Sequence, residues 1–190
     1  MSNQIQLVAL AGSTRKGSFN KLFLQQAVEL AAKFGAQVKI VELSDYQMPL
    51  YDGDLESEHG LPEVSAEFKK VLHAADAFLI SSPEYNASMT GVLKNAIDWA
   101  SRPGAVEGSV FADKPALLIS ASPGGLGGLR GLNHLRDVLT TLGVFIYARQ
   151  QALPAAHNAF DDNGKLKDEA TQERLRDLVK GFLEYAKKVV

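Results

Sequence analysis

The sequence predicts a three-layer α/β protein built on a doubly wound parallel sheet of five strands, and three observations carry that prediction. Short apolar runs alternate with amphipathic stretches from end to end, the pattern of a sheet covered by helices on both faces. Four runs, 5–11, 77–81, 116–120 and 144–147, are nearly continuous in apolar residues, as strands buried on both sides require. The fifth, 37–43, mixes Lys39 and Glu42 with Val38 and Ile40, which marks it as an edge. A lone edge-like second strand selects the sheet order 2-1-3-4-5 over the six-stranded dinucleotide order.

The helices follow from the spacing of apolar residues. Phe23, Ala27, Leu30, Ala31 and Phe34 share one face and stop at Gly35, a natural residue just past a helix end. Pro62 suits a first helical position, with Val64, Phe68 and Leu72 continuing a stripe. Leu129, Leu132, Leu135, Leu139 and Leu142 form another before Gly143, and Asp168 is placed to cap a helix carrying Leu175, Leu178, Phe182 and Ala186. These stripes are core, and Ile97 and Trp99 are read as helix packing or a subunit interface. Two irregular stretches, 44–61 and 149–167, exceed usual connection lengths and are expected to act as lids or subunit contacts.

With 190 residues and 46% hydrophobic content, the chain is expected to form one domain spanning 1–190. Twenty basic residues against 22 acidic ones leave a formal charge of −2, so no basic stripe points to nucleic acid. The lack of cysteine excludes disulfides, thiolate metal sites and cysteine nucleophiles, and fits a reducing compartment. No signal-peptide pattern opens the sequence and no apolar run approaches the roughly 20 residues of a membrane span, so a cytoplasmic location and no membrane partner are expected.

In a sheet of this order, ligands bind beyond the carboxyl ends of the strands. After the first strand comes Gly12-Ser13-Thr14-Arg15-Lys16-Gly17-Ser18-Phe19-Asn20, leading straight into a helix. Free backbone N–H groups, a positive helix terminus, three hydroxyls, the Asn20 amide and the Arg15 guanidinium make it an anion cradle. It is neither a Walker loop nor Gly-x-Gly-x-x-Gly. After the third strand, Pro83 stiffens a turn in which Tyr85 and Asn86 offer a flat surface and amide contacts to a planar heterocycle. After the fourth, Ser122-Pro123-Gly124-Gly125-Leu126-Gly127-Gly128 allows close backbone approach to a ligand. Its final glycine falls one position late for the dinucleotide fingerprint.

Together, Gly12-Ser13-x-Arg15-x-x-Ser18-x-Asn20 and Pro83-Glu84-Tyr85-Asn86-x-Ser88, followed by Gly91-x-Leu93-Lys94-Asn95-Ala96-Ile97-Asp98, resemble the NADPH-dependent FMN reductase family of flavodoxin-like fold. That family includes flavin, quinone and chromate reductases and some azoreductases. The resemblance implies FMN as cofactor, with Ser13, Arg15, Ser18 and Asn20 holding its phosphate and Thr14 and Phe19 also among the cofactor-binding residues. It places Pro83, Glu84, Tyr85 and Asn86 under the isoalloxazine, with further contact from Ser122, Gly124 and Gly125. It implies NADPH or NADH as donor, a small-molecule acceptor, and a homodimer or homotetramer. It assigns no catalytic side chain, since the chemistry belongs to the flavin. Thr90 stands where many members carry proline.

The four histidines, His59, His73, His134 and His157, show no metal-binding spacing, Asp161-Asp162-Asn163-Gly164 lacks the closing Glu of a calcium loop, and there is no Gly-x-Ser-x-Gly elbow. The alternative reading, a non-enzymatic electron carrier of flavodoxin type, would call for a more acidic chain than a charge of −2.

Overall fold

A computed structural model describes residues 4–190. Its elements, in chain order, are β1 (Gln6–Ala11), α1 (Phe19–Lys33), β2 (Gln37–Val41), a 3-10 turn (Leu43–Asp45), α2 (Gly53–His59), α3 (Glu63–His73), β3 (Ala77–Ser81), α4 (Gly91–Ser101), β4 (Pro115–Ala121), α5 (Leu129–Thr141), β5 (Phe145–Ile146), β6 (Gln151–Leu153), α6 (Ala156–Ala159) and α7 (Glu169–Val189). The sheet is parallel and runs β2-β1-β3-β4-β5, the order expected. The exposed second strand lies at one edge, where Ile40 keeps 45% of its surface in solvent.

Two apolar layers hold the sheet. Leu7, Ala9 and Leu79 turn towards α1 and α7, while Val8, Phe78 and Ile80 turn towards α3, α4 and α5. This alternation explains why strands with apolar residues at consecutive positions are buried on both faces. Asp168 caps α7 as expected, its carboxylate accepting from Thr171 N at 2.8 Å. Leu132, Leu135 and Leu139 of α5 are fully buried, but Leu129, read as the start of that stripe, is 38% exposed.

The other sheet edge departs from expectation. The run 144–147 yields only the two-residue β5, with Phe145 exposed, and the ladder resumes as β6 inside the stretch expected to be irregular. β5 pairs with Pro115 and Ala116, β6 with Ile119, Ser120 and Ala121, so two short pieces share one position beside β4. Between them Arg136 draws away the carbonyl of Tyr147 and the side chain of Gln150, at 3.3 and 2.8 Å, which supplies partners outside the ladder. The stretch 44–61 also holds structure: Tyr51 N donates to Asn95 Oδ1, while Asn95 Nδ2 and Trp99 Nε1 both donate to Pro49 O, at 2.8 to 2.9 Å. Trp99 is completely buried edge-on to Tyr51, so its role is packing within the chain, and Arg102 grips both carboxylate oxygens of Glu56.

The loops that matter leave the sheet side by side. Gly12 N donates to Ser81 O and Ser82 N to Ile119 O, both at 2.9 Å, and Ser122 N donates to Leu153 O at 3.1 Å, extending the ladder one step beyond each strand. The third loop then folds onto β6: a Cβ at Gly127 (φ +63°) would lie 2.7 Å from the backbone of Leu153 and Pro154. At Gly35, φ is +90° but nothing lies within 4 Å. We therefore expect Gly35→Ala to cost about 1 kcal/mol of strain alone, and Gly127→Ala to cost roughly 3 kcal/mol because a clash with rigid backbone is added. Urea unfolding measures both, and equal costs would refute the contact at Gly127.

Candidate functional site

The loop after β1 is held from three directions. A Cβ at Gly12 would meet Leu93 at 2.9 Å, so glycine lets α4 approach, and the buried Thr90 at the start of α4 donates to Gly12 O at 2.6 Å while accepting from Leu93 N at 3.3 Å. Thr90 thus caps α4 and ties it to the first loop, a role no local pattern revealed. Asn20 is 3% exposed and pins the loop from below: its Nδ2 donates to Ala121 O at 2.7 Å, and its Oδ1 accepts from Ala121 N and Ser81 Oγ at 3.0 Å. The side chain expected to meet a phosphate is therefore engaged chiefly with the ends of β3 and β4. Phe19 stacks on Phe160 with centroids 6.4 Å apart.

What remains open in this loop faces an anion's needs. Ser18 occupies the N-cap of α1 and is buried, yet its hydroxyl makes no capping hydrogen bond, and the first turn of α1 carries no acid. Ser13 is buried, with its Oγ accepting from Arg15 N at 3.3 Å. Arg15 is exposed and forms no ion pair among the described residues.

After β3, Tyr85 and Ser88 exchange two backbone hydrogen bonds, at 2.9 and 3.0 Å, around Asn86 and Ala87, whose φ values are +50° and +63°. The result is a tight two-residue hairpin that displays the Tyr85 ring, 56% exposed. Glu84, directly before it, turns inward: its carboxylate accepts from Arg130 N at 3.0 Å, Gly131 N at 3.2 Å and Arg130 Nε at 2.7 Å. After β4, Ser122 Oγ accepts from Gly124 N at 3.2 Å and Ser120 Oγ donates to Gly127 O at 2.7 Å. The positive φ values fall at Gly127 and Gly128, whereas Gly124 and Gly125 lie exposed with open space around Gly125.

Nine of the residues singled out by sequence converge. Ser13, Arg15, Ser18, Phe19, Asn20, Pro83, Glu84, Tyr85 and Ser122 line one cavity of about 80 Å³ at the carboxyl ends of β1, β3 and β4. Thr14 instead borders a separate hollow of about 130 Å³ beside Tyr46 and Met48, and Asn86, Gly124 and Gly125 do not line the small cavity. A larger hollow, about 730 Å³, is a mixed-charge groove off the C-terminal half of α1, bordered by Lys33, Lys165 and Arg176 among others, away from these loops. Among the described residues no three His, Asp or Glu side chains gather to hold a metal, and no helix is long and apolar enough to cross a membrane.

The model of the NADPH-dependent FMN reductase family matches residues 5–158. The chain belongs to that family. An NAD(P)H-dependent FMN reductase of Pseudomonas aeruginosa is 40% identical over 177 residues, spanning 93% of this chain and 92% of its own. An NAD(P)H:quinone oxidoreductase of Solanum tuberosum is 43% identical over 90% of this chain and 88% of its own, and a quinone reductase of Escherichia coli is 34% identical over 100% and 99%. In structure, the flavoenzyme NAD(P)H:(acceptor) oxidoreductase FerB of Paracoccus denitrificans superimposes with a TM-score of 0.84 at 30% identity, covering 97% of this chain and 98% of that one. As an NADPH-dependent FMN reductase family member the chain is an oxidoreductase of flavodoxin-like fold that uses FMN and a reduced nicotinamide.

Within this family member, Glu84 is the residue whose partner the sequence concealed. The available signal was indirect: α5 opens on Gly128, which offers no capping side chain, and has no acid in its first turn. Burial would raise the Glu84 carboxyl, but the Arg130 guanidinium and the N–H groups of Gly131 and Arg130 together hold it below the ordinary glutamate value. A depressed folded pKa contributes stability that is present above the unfolded value of about 4.3 and is lost as pH falls through the folded one. Glu84→Gln is therefore expected to flatten the acid limb of a melting-temperature profile, and an unchanged limb would contradict the pairing. Asn20→Ala, which strands Ser81 Oγ and both backbone groups of Ala121, is expected to cost about 2–4 kcal/mol in urea unfolding. A loss under 1 kcal/mol, within the range of an ordinary surface change, would contradict the pin.

Proposed function

We propose that this chain, acting as a single FMN-binding domain, is an NAD(P)H-dependent reductase that passes electrons from nicotinamide through bound flavin to a small acceptor: a free flavin, quinone, chromate or azo compound. The observation that carries the reading is the convergence of Ser13, Arg15 and Ser18 on one small cavity beside the exposed Tyr85 hairpin. The residues fit the cofactor. A buried hydroxyl without a capping bond at the helix start, an exposed guanidinium without a carboxylate partner among the described residues and a helix terminus without an acid suit a phosphate dianion. A volume of about 80 Å³ suits the phosphate end alone, since pockets that enclose whole ligands run to roughly 300–1,000 Å³. The ring then belongs over Pro83 and Tyr85.

When bound, FMN supplies the redox chemistry, accepting hydride from nicotinamide and returning the electrons to the acceptor. The chain's residues bind and orient. Ser13, Arg15 and Ser18 hold the phosphate, Asn20 fixes the loop that carries them, and the hairpin at 85–88 sets the plane on which a flat ring rests. The exposed Tyr85 ring, together with the quinone reductases among its relatives, favours a flat apolar acceptor. Donor and acceptor use one open face in turn, which calls for ping-pong kinetics. A second copy of the chain is the proposed partner, covering exposed apolar residues such as Leu50 and Val92.

The purified protein should be yellow and its flavin should bleach under NADPH or NADH; flavin that stays oxidised would favour the carrier reading. Initial-rate lines at varied donor and quinone should be parallel, and intersecting lines would exclude the shared face. Arg15→Ala should weaken FMN binding by about 10- to 100-fold, the worth of a charged hydrogen bond, and unchanged affinity would remove Arg15 from the phosphate site.

A further inference from the structure

Glu84 is an awkward residue to find at a phosphate site. Its side chain is only 8% exposed, and Glu84 lines the same small cavity as Ser13, Arg15 and Ser18, where a dianion is expected. An unneutralised carboxylate there would repel the phosphate across a poorly screened gap. The chain neutralises it from one place, the start of α5, 46 residues away. Two backbone N–H groups of α5 point at one carboxylate oxygen and the Arg130 side chain pairs with the other.

The contact is built in on both sides. α5 has no capping side chain of its own, because Gly128 (φ +95°) stands at its N-cap, so Glu84 supplies the missing acceptor. Gly131 leaves the room: a Cβ there would lie 3.2 Å from the Glu84 backbone and 3.1 Å from Ser88 O. The glutamate thereby fixes the base of the hairpin that displays Tyr85, while the arginine keeps its charge from acting on the cavity.

We infer that Glu84 and Arg130 form a positioning pair for the flavin: Glu84 anchors the 85–88 hairpin to α5, and Arg130 cancels the Glu84 charge so that the cavity accepts a phosphate dianion. The inference rests on FMN occupying this site. It makes an unequal prediction for the two partners. Removing Arg130 alone leaves the Glu84 carboxylate without its counter-charge beside the phosphate site, whereas removing both charges leaves a neutral wall.

FMN affinity, read by quenching of flavin fluorescence on titration into the stripped protein, tests this in wild type, Arg130→Gln, Glu84→Gln and the double variant. Arg130→Gln should bind FMN about tenfold or more weaker, the scale of an uncompensated buried charge, Glu84→Gln a few-fold weaker, and the double variant more tightly than Arg130→Gln. Amide exchange at 85–88 should quicken in all three variants relative to the β1 and β3 amides. A double variant as weak as Arg130→Gln or weaker, or unaltered exchange at 85–88, would overturn the pairing. Should Arg130→Gln fail to fold, Arg130→Lys, which keeps the charge but not the fork, should bind FMN within a few-fold of wild type; a loss as large as tenfold would overturn the charge-cancelling role. A wild type that binds no FMN would overturn the functional reading itself, a result distinct from variants that all bind like wild type.

Discussion

The amide of Asn20 joins three pieces of chain that are far apart in sequence, and the geometry of the site depends on it. Its oxygen accepts hydrogen bonds from Ser81 Oγ and Ala121 N, and its nitrogen donates one to Ala121 O, in a place from which water is excluded. In such surroundings an unpaired donor or acceptor is costly, so these bonds fix where α1 begins relative to β3 and β4. With the helix start fixed, Ser13, Arg15 and Ser18 meet Pro83, Glu84 and Ser122 in a single cavity. Thr90 adds the matching restraint from α4, bonding to the carbonyl of Gly12 on the other side of the loop.

Charge sets the second constraint. The site brings a carboxylate, a guanidinium and the positive ends of two helices, α1 and α5, close to one another. The first terminus is left without an acid and the second is satisfied by Glu84 from another loop. One helix start thus carries no acid while the other is consumed by structure, a division that follows from the placement of one glutamate.

Much of this could be read from residue order. The uninterrupted apolar runs at 77–81 and 116–120 gave the central strands, the charged residues Lys39 and Glu42 gave the edge, and strand order then located the three loops. Trp99 was legible as packing because it falls on the buried face of α4. What escaped has physical reasons. β5 and β6 are two and three residues long, too short for any period to show, and they are strands only because β4 offers them partners. The Glu84–Arg130 pair spans 46 residues and has no spacing rule. Thr14 and Asn20 belong to the same loop, but side-chain direction sets their surroundings: Thr14 borders another hollow, while Asn20 lines the small cavity with its amide bonded to the strand ends. Leu129 continues the leucine stripe in sequence yet sits at the helix start, where α5 emerges into solvent.

Comparing FMN with riboflavin, which differs only in lacking the phosphate, isolates the 13–20 loop most directly. If that loop holds the phosphate through Ser13, Arg15 and Ser18, the purified protein should bind FMN about a hundredfold or more tightly than riboflavin, the worth of two charged hydrogen bonds or more. Equal affinity for the two flavins would contradict the site.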